Sequence, residues 1–576
     1  MRARERRPLG ARGALGARGA LGVRGALGPL AWAAAAAVPV LFVGLFFLWP
    51  VIALVATGLT SDGQLDLGGI TEVLALERSW RVLGNTLLQA ILATLVALLL
   101  GVPAAYVLYR LEFRGRGVLR ALLTVPFVLP AVVVGVAFTA LYGPGGALNW
   151  LGLDRSLTVV VLALAFFNVT VVARTVGGFW AQLDTRQGQA ARTLGAGPVR
   201  VFATVTLPAL GPALASAGAL VFLFCATSFG VVLILGGREF ANIETEIYRL
   251  TVQFLDLRAA AVLSLVQFAI VALALFVSAL LRRHNERAQS VRDEVRAPRA
   301  GDAPILAVFG ATVLLLHVLP IGALLWRSLQ GPRGAGFSLE NYRALIDPPP
   351  SSPLHGSVFD AAALSFGIAC VATAIAVSLG MLVSLIVSRR PRSRGLQRAI
   401  ALYDAAIMLP LGISAVTLGF GLLLTMHRPL GIGFDLRTSV VLIPIAQALV
   451  ALPLVVRTLT PVLRAIDPRT REAAMMLGAS PFRVLRTIDF ALLGRSAGLA
   501  LGFAFAVSLG EFGATAFLVR PDAQTLPVAI AALVGNPDPA SYGTALAASV
   551  VLGALAAGIM VLAERWRVDG GVGGSW

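Results

Sequence analysis

Apolar stretches of about 20 residues follow one another along the whole chain, separated by short polar or Arg-bearing segments. A stretch of that length crosses about 30 Å of hydrocarbon as a helix. The stretches are rich in Ala, Leu, Val and Gly and lack the ~10-residue alternation of a membrane barrel, so helical spans are predicted. Segmentation gives about twelve, with approximate limits 31–57, 84–109, 121–142, 156–176, 209–236, 259–281, 303–327, 361–388, 400–426, 438–456, 494–518 and 543–563. The predicted fold class is an all-α membrane protein.

Charge adds an orientation to this picture. The chain is 57% hydrophobic and 13% charged, yet its net charge is +18. With the N-terminus placed in the cytoplasm, roughly 35 of the 47 basic residues fall in cytoplasmic segments and about 12 outside, as the positive-inside rule requires. The basic excess is therefore assigned to topology and lipid, with both termini cytoplasmic, and no nucleic-acid partner is inferred. All of these residues are Arg, and the sequence contains no Lys. An ordinary phosphate-binding loop needs its Lys to reach the β and γ phosphates, so any ATP and Mg would be bound by a partner, with no cofactor in this chain.

Cys225 and Cys370 fall in predicted spans of different halves, where thiols behave as small apolar groups. The four histidines, His284, His317, His355 and His427, are scattered without ligand spacing. No disulfide framework, metal site or catalytic constellation is predicted. Residues 1–30, with GARGALGARGALGVRGALG, form a low-complexity segment predicted as a disordered cytoplasmic tail, and the run after it as an uncleaved anchor.

The chain repeats itself. Residues 189–208 read QAARTLGAGPVRVFATVTLP and residues 472–491 read EAAMMLGASPFRVLRTIDFA, an offset of 472 − 189 = 283. The same offset carries Arg174-Thr175 onto Arg457-Thr458, Asp184 onto Asp467, and Phe229-Gly230 onto Phe512-Gly513. Each half then holds about six spans, and an even number of crossings gives the copies the same orientation, a parallel repeat. The predicted units are a first half over 31–281, an Arg-rich cytoplasmic linker over 282–302, a second half over 303–565, and a short cytoplasmic tail over 566–576.

Between the fourth and fifth spans of each half lies a patterned cytoplasmic connection. Asp467-Pro468, and Asp184-Thr185 in the first copy, can start a helix, since Asp offers a capping oxygen and Pro at the first helical position sacrifices no hydrogen bond. Small residues follow, and Gly478 or Gly195 ends the helix. A second short helix opens at Ser480-Pro481 or Gly197-Pro198, with Phe482, Val484 and Leu485 as one apolar stripe. One such loop could simply lie in the headgroups. Two copies at matched positions, exposing small and apolar side chains, point to a protein partner.

Glu-Ala-Ala, then Gly four residues after the second Ala, then an apolar helix resembles the loop motif of binding-protein-dependent ABC importer permeases. That resemblance implies a type I ABC importer permease fold in a bacterial inner membrane, two separate ATP-binding cassette ATPase subunits, and an extracytoplasmic solute-binding protein. It implies coupling roles for Gln189, Ala190, Ala191 and Gly195 in the first half and for Glu472, Ala473, Ala474 and Gly478 in the second. Gln189 departs from the acidic residue of the motif, and Ala491 stands where the first copy keeps Pro208, so unequal docking sites are expected. Segments 228–250 and 508–530 resemble the thiamine and ferric-iron permease group, which implies thiamine or its phosphates as cargo, with ferric iron as the alternative. The same resemblance places Asn242 to Tyr248 and Thr525 to Ile530 near the surface that receives the binding protein.

Polar groups inside spans are costly in hydrocarbon and persist where they line a cavity or pack against a neighbour. Glu511, Ser508 and Ser228, which Glu511 matches by the offset, are the pathway candidates; Glu511 is placed well inside the eleventh span. Pro126, Pro130 and Pro410 are expected to kink the third and ninth spans, and Asn168 and Asp404 to serve helix packing. An ion-gradient-driven secondary transporter of six plus six spans also fits the repeat, but does not explain the patterned loops.

Overall fold

The computed structural model describes residues 32–61, 64–184, 186–282, 295–331, 336–389, 393–431 and 433–568. The tail 1–30, linker positions 283–294 with His284, and residues 569–576 lie outside the described residues. Helices dominate, and the one short hairpin among the described residues pairs Thr60–Ser61 with Gln64–Leu65.

Nine helices among the described residues are long and apolar enough to cross a membrane: Trp32–Leu59, Glu77–Arg110, Leu157–Trp180, Pro198–Ala226, Leu257–Val277, Ala300–Ser328, Val358–Val387, Leu442–Arg464 and Pro539–Ala563. Two bent pairs raise the number to as many as 11. The remaining predicted span, 121–142, is two helices, Arg116–Val128 and Ala131–Tyr142. The kinks expected at Pro130 and Pro410 are breaks, whereas Pro126 lies inside the helix Arg116–Val128. Pro130 has an extended ψ of 141° and cannot donate a helical hydrogen bond, and a residue before proline is pushed out of the helical region. In the second half, Arg394–Gly412 meets Ala415–Thr425 at 98°. Pro410 sits in a tight 3₁₀ turn there, and Ser414 starts the new helix by accepting from the Thr417 amide at 3.1 Å.

The duplication extends to the secondary structure. Pro198–Val201 and Pro481–Val484, the π-helical turns Phe202–Thr206 and Leu485–Asp489, and the helices Ile243–Val252 and Leu526–Gly535 match residue for residue at the offset of 283.

In the second span small residues face inward and large ones outward, as expected where lipid is as apolar as leucine and helices associate by close packing. Along Glu77–Arg110, Ala90, Ala93 and Ala97 are buried, while Leu88, Ile91, Leu95 and Leu99 form an exposed stripe. A Cβ on Gly101 would meet Val172 at 2.6 Å, and one on Gly380 would meet Val455 at 2.5 Å, so both helices depend on glycine to approach. The halves also exchange contacts. Trp49–Leu59 of the first packs on Ala415–Thr425 of the second, and Leu319–Ser328 of the second packs on Ala131–Tyr142 of the first. One hydrophobic core, containing Leu54, Val132, Phe420 and Leu449, therefore runs through both.

Candidate functional site

Each patterned loop folds as the capping chemistry requires. Asp184 Oδ1 accepts from the Arg186 amide at 2.9 Å and Asp467 Oδ1 from the Arg469 amide at 2.9 Å, opening the helices Arg186–Thr193 and Pro468–Met476. Thr185 lies outside the described residues. The helices end alike. Gly195 and Gly478 take φ of +83° and +85°, a left-handed conformation that side chains resist. The next amides, of Ala196 and Ala479, donate back to the carbonyls of Ala191 and Ala474 at 3.0 Å, and the glycine amides donate to Arg192 and Met475. The four-residue spacing from second Ala to Gly is thus the geometry of a helix stop.

The stop leaves an apolar tip in solvent. Leu194 and Leu477, equivalent by the offset, are 88% and 89% exposed. Val199, Met476 and Phe482 are exposed beside them, as are Gln189, Ala190, Glu472 and Ala473, while Ala191 and Ala474 are half-buried. The second helix does not present one stripe. Phe482 points out, whereas Val484 and its equivalent Val201 are buried anchors. Each short helix continues through its π-helical turn into the fifth span of its half.

Behind matched tips the attachments differ. In the second half Asp489 is fully buried and meets Arg471 of the docking helix at 2.6 Å and Arg389, beyond the end of Val358–Val387, at 2.9 Å. Arg389 also lies 5.3 Å over the Trp32 ring, at the first span of the other half. In the first half the positions equivalent to Asp489 and Arg471 are Thr206 and Gly188, so this ion pair has no counterpart there. Aromatic rings hold that side: Tyr106 to Trp180 at 5.4 Å and Trp180 to Phe202 at 6.1 Å. Tyr106 further donates to Asp302 at 2.8 Å, with Arg296 bridging both. Sequence reasoning missed Asp489, although a lone Asp in RTIDFALLG is the signal that could have found it.

The pathway candidates lie at a second matched feature, the seam between halves. The Phe229 and Phe512 rings, equivalent by the offset, stack at 5.2 Å. Glu511 is not deep inside a span. The helix Phe490–Gly510 ends just before it, and its carboxylate accepts from the amides of Ala514 at 2.8 Å and Thr515 at 3.0 Å and from the Thr515 hydroxyl. It caps the short helix Thr515–Leu518. Ser508 is buried, and Ser228 is half-buried with its carbonyl held by Asn242 at 2.6 Å. Asn168 is buried and donates to the Leu164 carbonyl at 2.8 Å, a packing contact.

The segments expected near a receiving surface are instead interior. Asn242, Ile243, Glu244, Thr245, Glu246 and Ile247 are all buried, as are Thr525, Leu526, Ala529 and Ile530. Amphipathic spacing sets the helix Ile243–Val252 against neighbours on more than one side, and Glu246 is neutralised by Arg78 at 2.7 Å.

The described residues thus form a duplicated bundle of membrane helices with two matched, exposed loop tips. Residues 97–290 match the family model described as "Binding-protein-dependent transport system inner membrane component". The thiamine transport system permease protein ThiP of Brucella abortus (strain 2308) is 27% identical over 501 residues, covering 84% of this chain and 87% of its own length. Its counterpart in Escherichia coli (strain K12) is 27% identical over 467 residues, covering 79% and 84%. A solved chain from a bacterial ABC transporter involved in the import of alginate aligns with 43% of this chain and 93% of its own at 19% identity, with a TM-score of 0.37. The chain is a multi-pass membrane protein similar to permease subunits of binding-protein-dependent ABC importers.

Proposed function

We propose that this permease, of the thiamine and ferric-iron group, imports thiamine or its phosphates and is driven through Arg186–Thr193 and Pro468–Met476 by two separate ATP-hydrolysing subunits. ATP and Mg are bound by those subunits, and an extracytoplasmic solute-binding protein delivers the cargo to the opposite face. Both termini and both docking tips lie in the cytoplasm. The observation that carries the reading is the pair of matched tips, capped at both ends and each continuous with a fifth span. Burying a leucine of this kind against a partner is worth about 1.5–3 kcal/mol, enough to make Leu194 and Leu477 anchors of docking. Gln189, Ala190, Ala191, Glu472, Ala473 and Ala474 let the partner approach closely, and Gly195 and Gly478 set the angle of the tip. Cargo passes along the seam marked by Ser228, Ser508 and Glu511. Relatives spanning most of the chain support thiamine over iron.

The test is reconstitution of the chain with its ATPase and binding protein in vesicles. ATP-dependent uptake of labelled thiamine is expected, and Gly478→Arg should abolish uptake while ATP hydrolysis continues. Gradient-driven uptake without any ATPase, or normal transport by Gly478→Arg, would overturn the reading.

A further inference from the structure

Glu244 stands apart from the other acidic residues of the membrane region. It is fully buried, and only its Oε2 has a partner, the hydroxyl of Ser414, at 2.7 Å. Oε1 is buried and makes no hydrogen bond. Glu511, by contrast, is satisfied by backbone amides, and Glu246 by Arg78. A carboxylate so placed is costly unless it keeps a proton or meets a cation.

Its surroundings belong to both halves. Glu244 lies on Ile243–Val252 of the first, and Ser414 starts Ala415–Thr425 of the second, at the 98° break. The Ser414 hydroxyl also contacts Thr417 at 3.1 Å. One turn along from Glu244, on the same helical face, is Tyr248. Its ring lies 5.3 Å from Phe229 and 5.4 Å from Phe517, and Phe229 stacks on Phe512. An unpaired carboxylate one helical turn from Tyr248, whose ring joins an aromatic cluster contributed by both halves, is the combination that recognises an organic cation, by charge and by the faces of the rings. At the position equivalent to Glu244 the second half has Pro527, so this carboxylate has no counterpart there.

We propose that Glu244, with the Tyr248, Phe229 and Phe512 rings, is the transient binding site for an organic cation as the halves part. The carboxylate is closed off here by Ser414, and cargo reaches it when that contact across the seam opens. This inference rests on the proposed import of thiamine, whose thiazolium ring is a permanent cation.

The experiment is ATP-dependent uptake of labelled thiamine by vesicles containing the complete transporter, with copurification of the ATPase subunits as the check on assembly. Glu244→Gln keeps the volume and an oxygen to accept from Ser414 but removes the charge, and uptake should fall about tenfold or more. Glu244→Asp keeps the charge and should stay within about threefold of the unaltered protein. Tyr248→Phe should retain uptake and Tyr248→Leu lose it, which keeps the proposal open to refutation if Glu244→Gln does not assemble. Normal uptake by Glu244→Gln, equal losses in the Gln and Asp variants, or equal uptake by the Phe and Leu variants would overturn the site. Absence of thiamine uptake by the unaltered transporter would instead sink the cargo assignment, and this inference with it.

Discussion

The two docking loops share a backbone and differ in what holds them. Both start on an aspartate cap, stop on a left-handed glycine, and pass through a π-helical turn into a membrane helix. The second is tied down by a buried carboxylate between two guanidiniums, and the first by tilted aromatic rings, of which Tyr106 also joins the Arg296–Asp302 ion pair. Charged pairs hold a particular geometry, because separating them strands a buried charge. Aromatic contacts tolerate sliding, since dispersion changes gradually with offset. The comparison teaches that duplication preserved the shape of the loop and not its mounting.

The largest effect should come from removing the charged mounting. Asp489→Ala leaves Arg471 and Arg389 without their buried partner and should cost about 3–5 kcal/mol, read as a lowered unfolding midpoint of the purified permease. Thr206→Ala, at the matched position, should stay within about 0.5 kcal/mol. Similar shifts in the two variants would erase the distinction between the mounts. Next come the tips, where the halves should behave alike. Leu477→Asp and Leu194→Asp should each weaken capture of the ATPase subunits by about 1.5–3 kcal/mol, measured by titration in detergent. Unequal losses would move the asymmetry from the mounting to the docking face.

Smaller effects sharpen the shared part. Gly478→Ala and Gly195→Ala each place a Cβ on a left-handed residue in open space, so strain alone should cost about 1–2 kcal/mol in both. Asp467→Ala and Asp184→Ala each remove one cap and should cost about 1 kcal/mol, read as faster hydrogen exchange in the following helical turn. A cap that mattered in one half only would show that the two helices are not equally supported.

Much of the docking site was legible because it is local. The caps at Asp184 and Asp467, the stops at Gly195 and Gly478, and the break before Pro198 and Pro481 act within one or two turns, where residue type and spacing decide conformation. The offset of 283 then doubled each weak signal. What escaped was long-range. Asp489 finds Arg471 18 residues away and Arg389 100 residues away, and Glu244 finds Ser414 at a separation of 170. Pro130 and Pro410 announced disturbed helices but not whether each would bend or break, since that depends on what can satisfy the freed backbone groups. The segment from Asn242 to Tyr248 is polar enough to suggest a surface, and is interior because Arg78, Thr86 and Ser414 supply its partners from other elements.

By itself the sequence determined the membrane as solvent, the helical class, the duplication and the shape of the docking tips, since hydrophobic length and local capping are properties of short windows of chain. Only the tertiary structure decided that first spans pack across the halves, that one lever is mounted on charge and the other on rings, and that a lone carboxylate lies in the seam. Those features depend on which distant groups meet once the helices pack, and no window of sequence contains both members of such a pair.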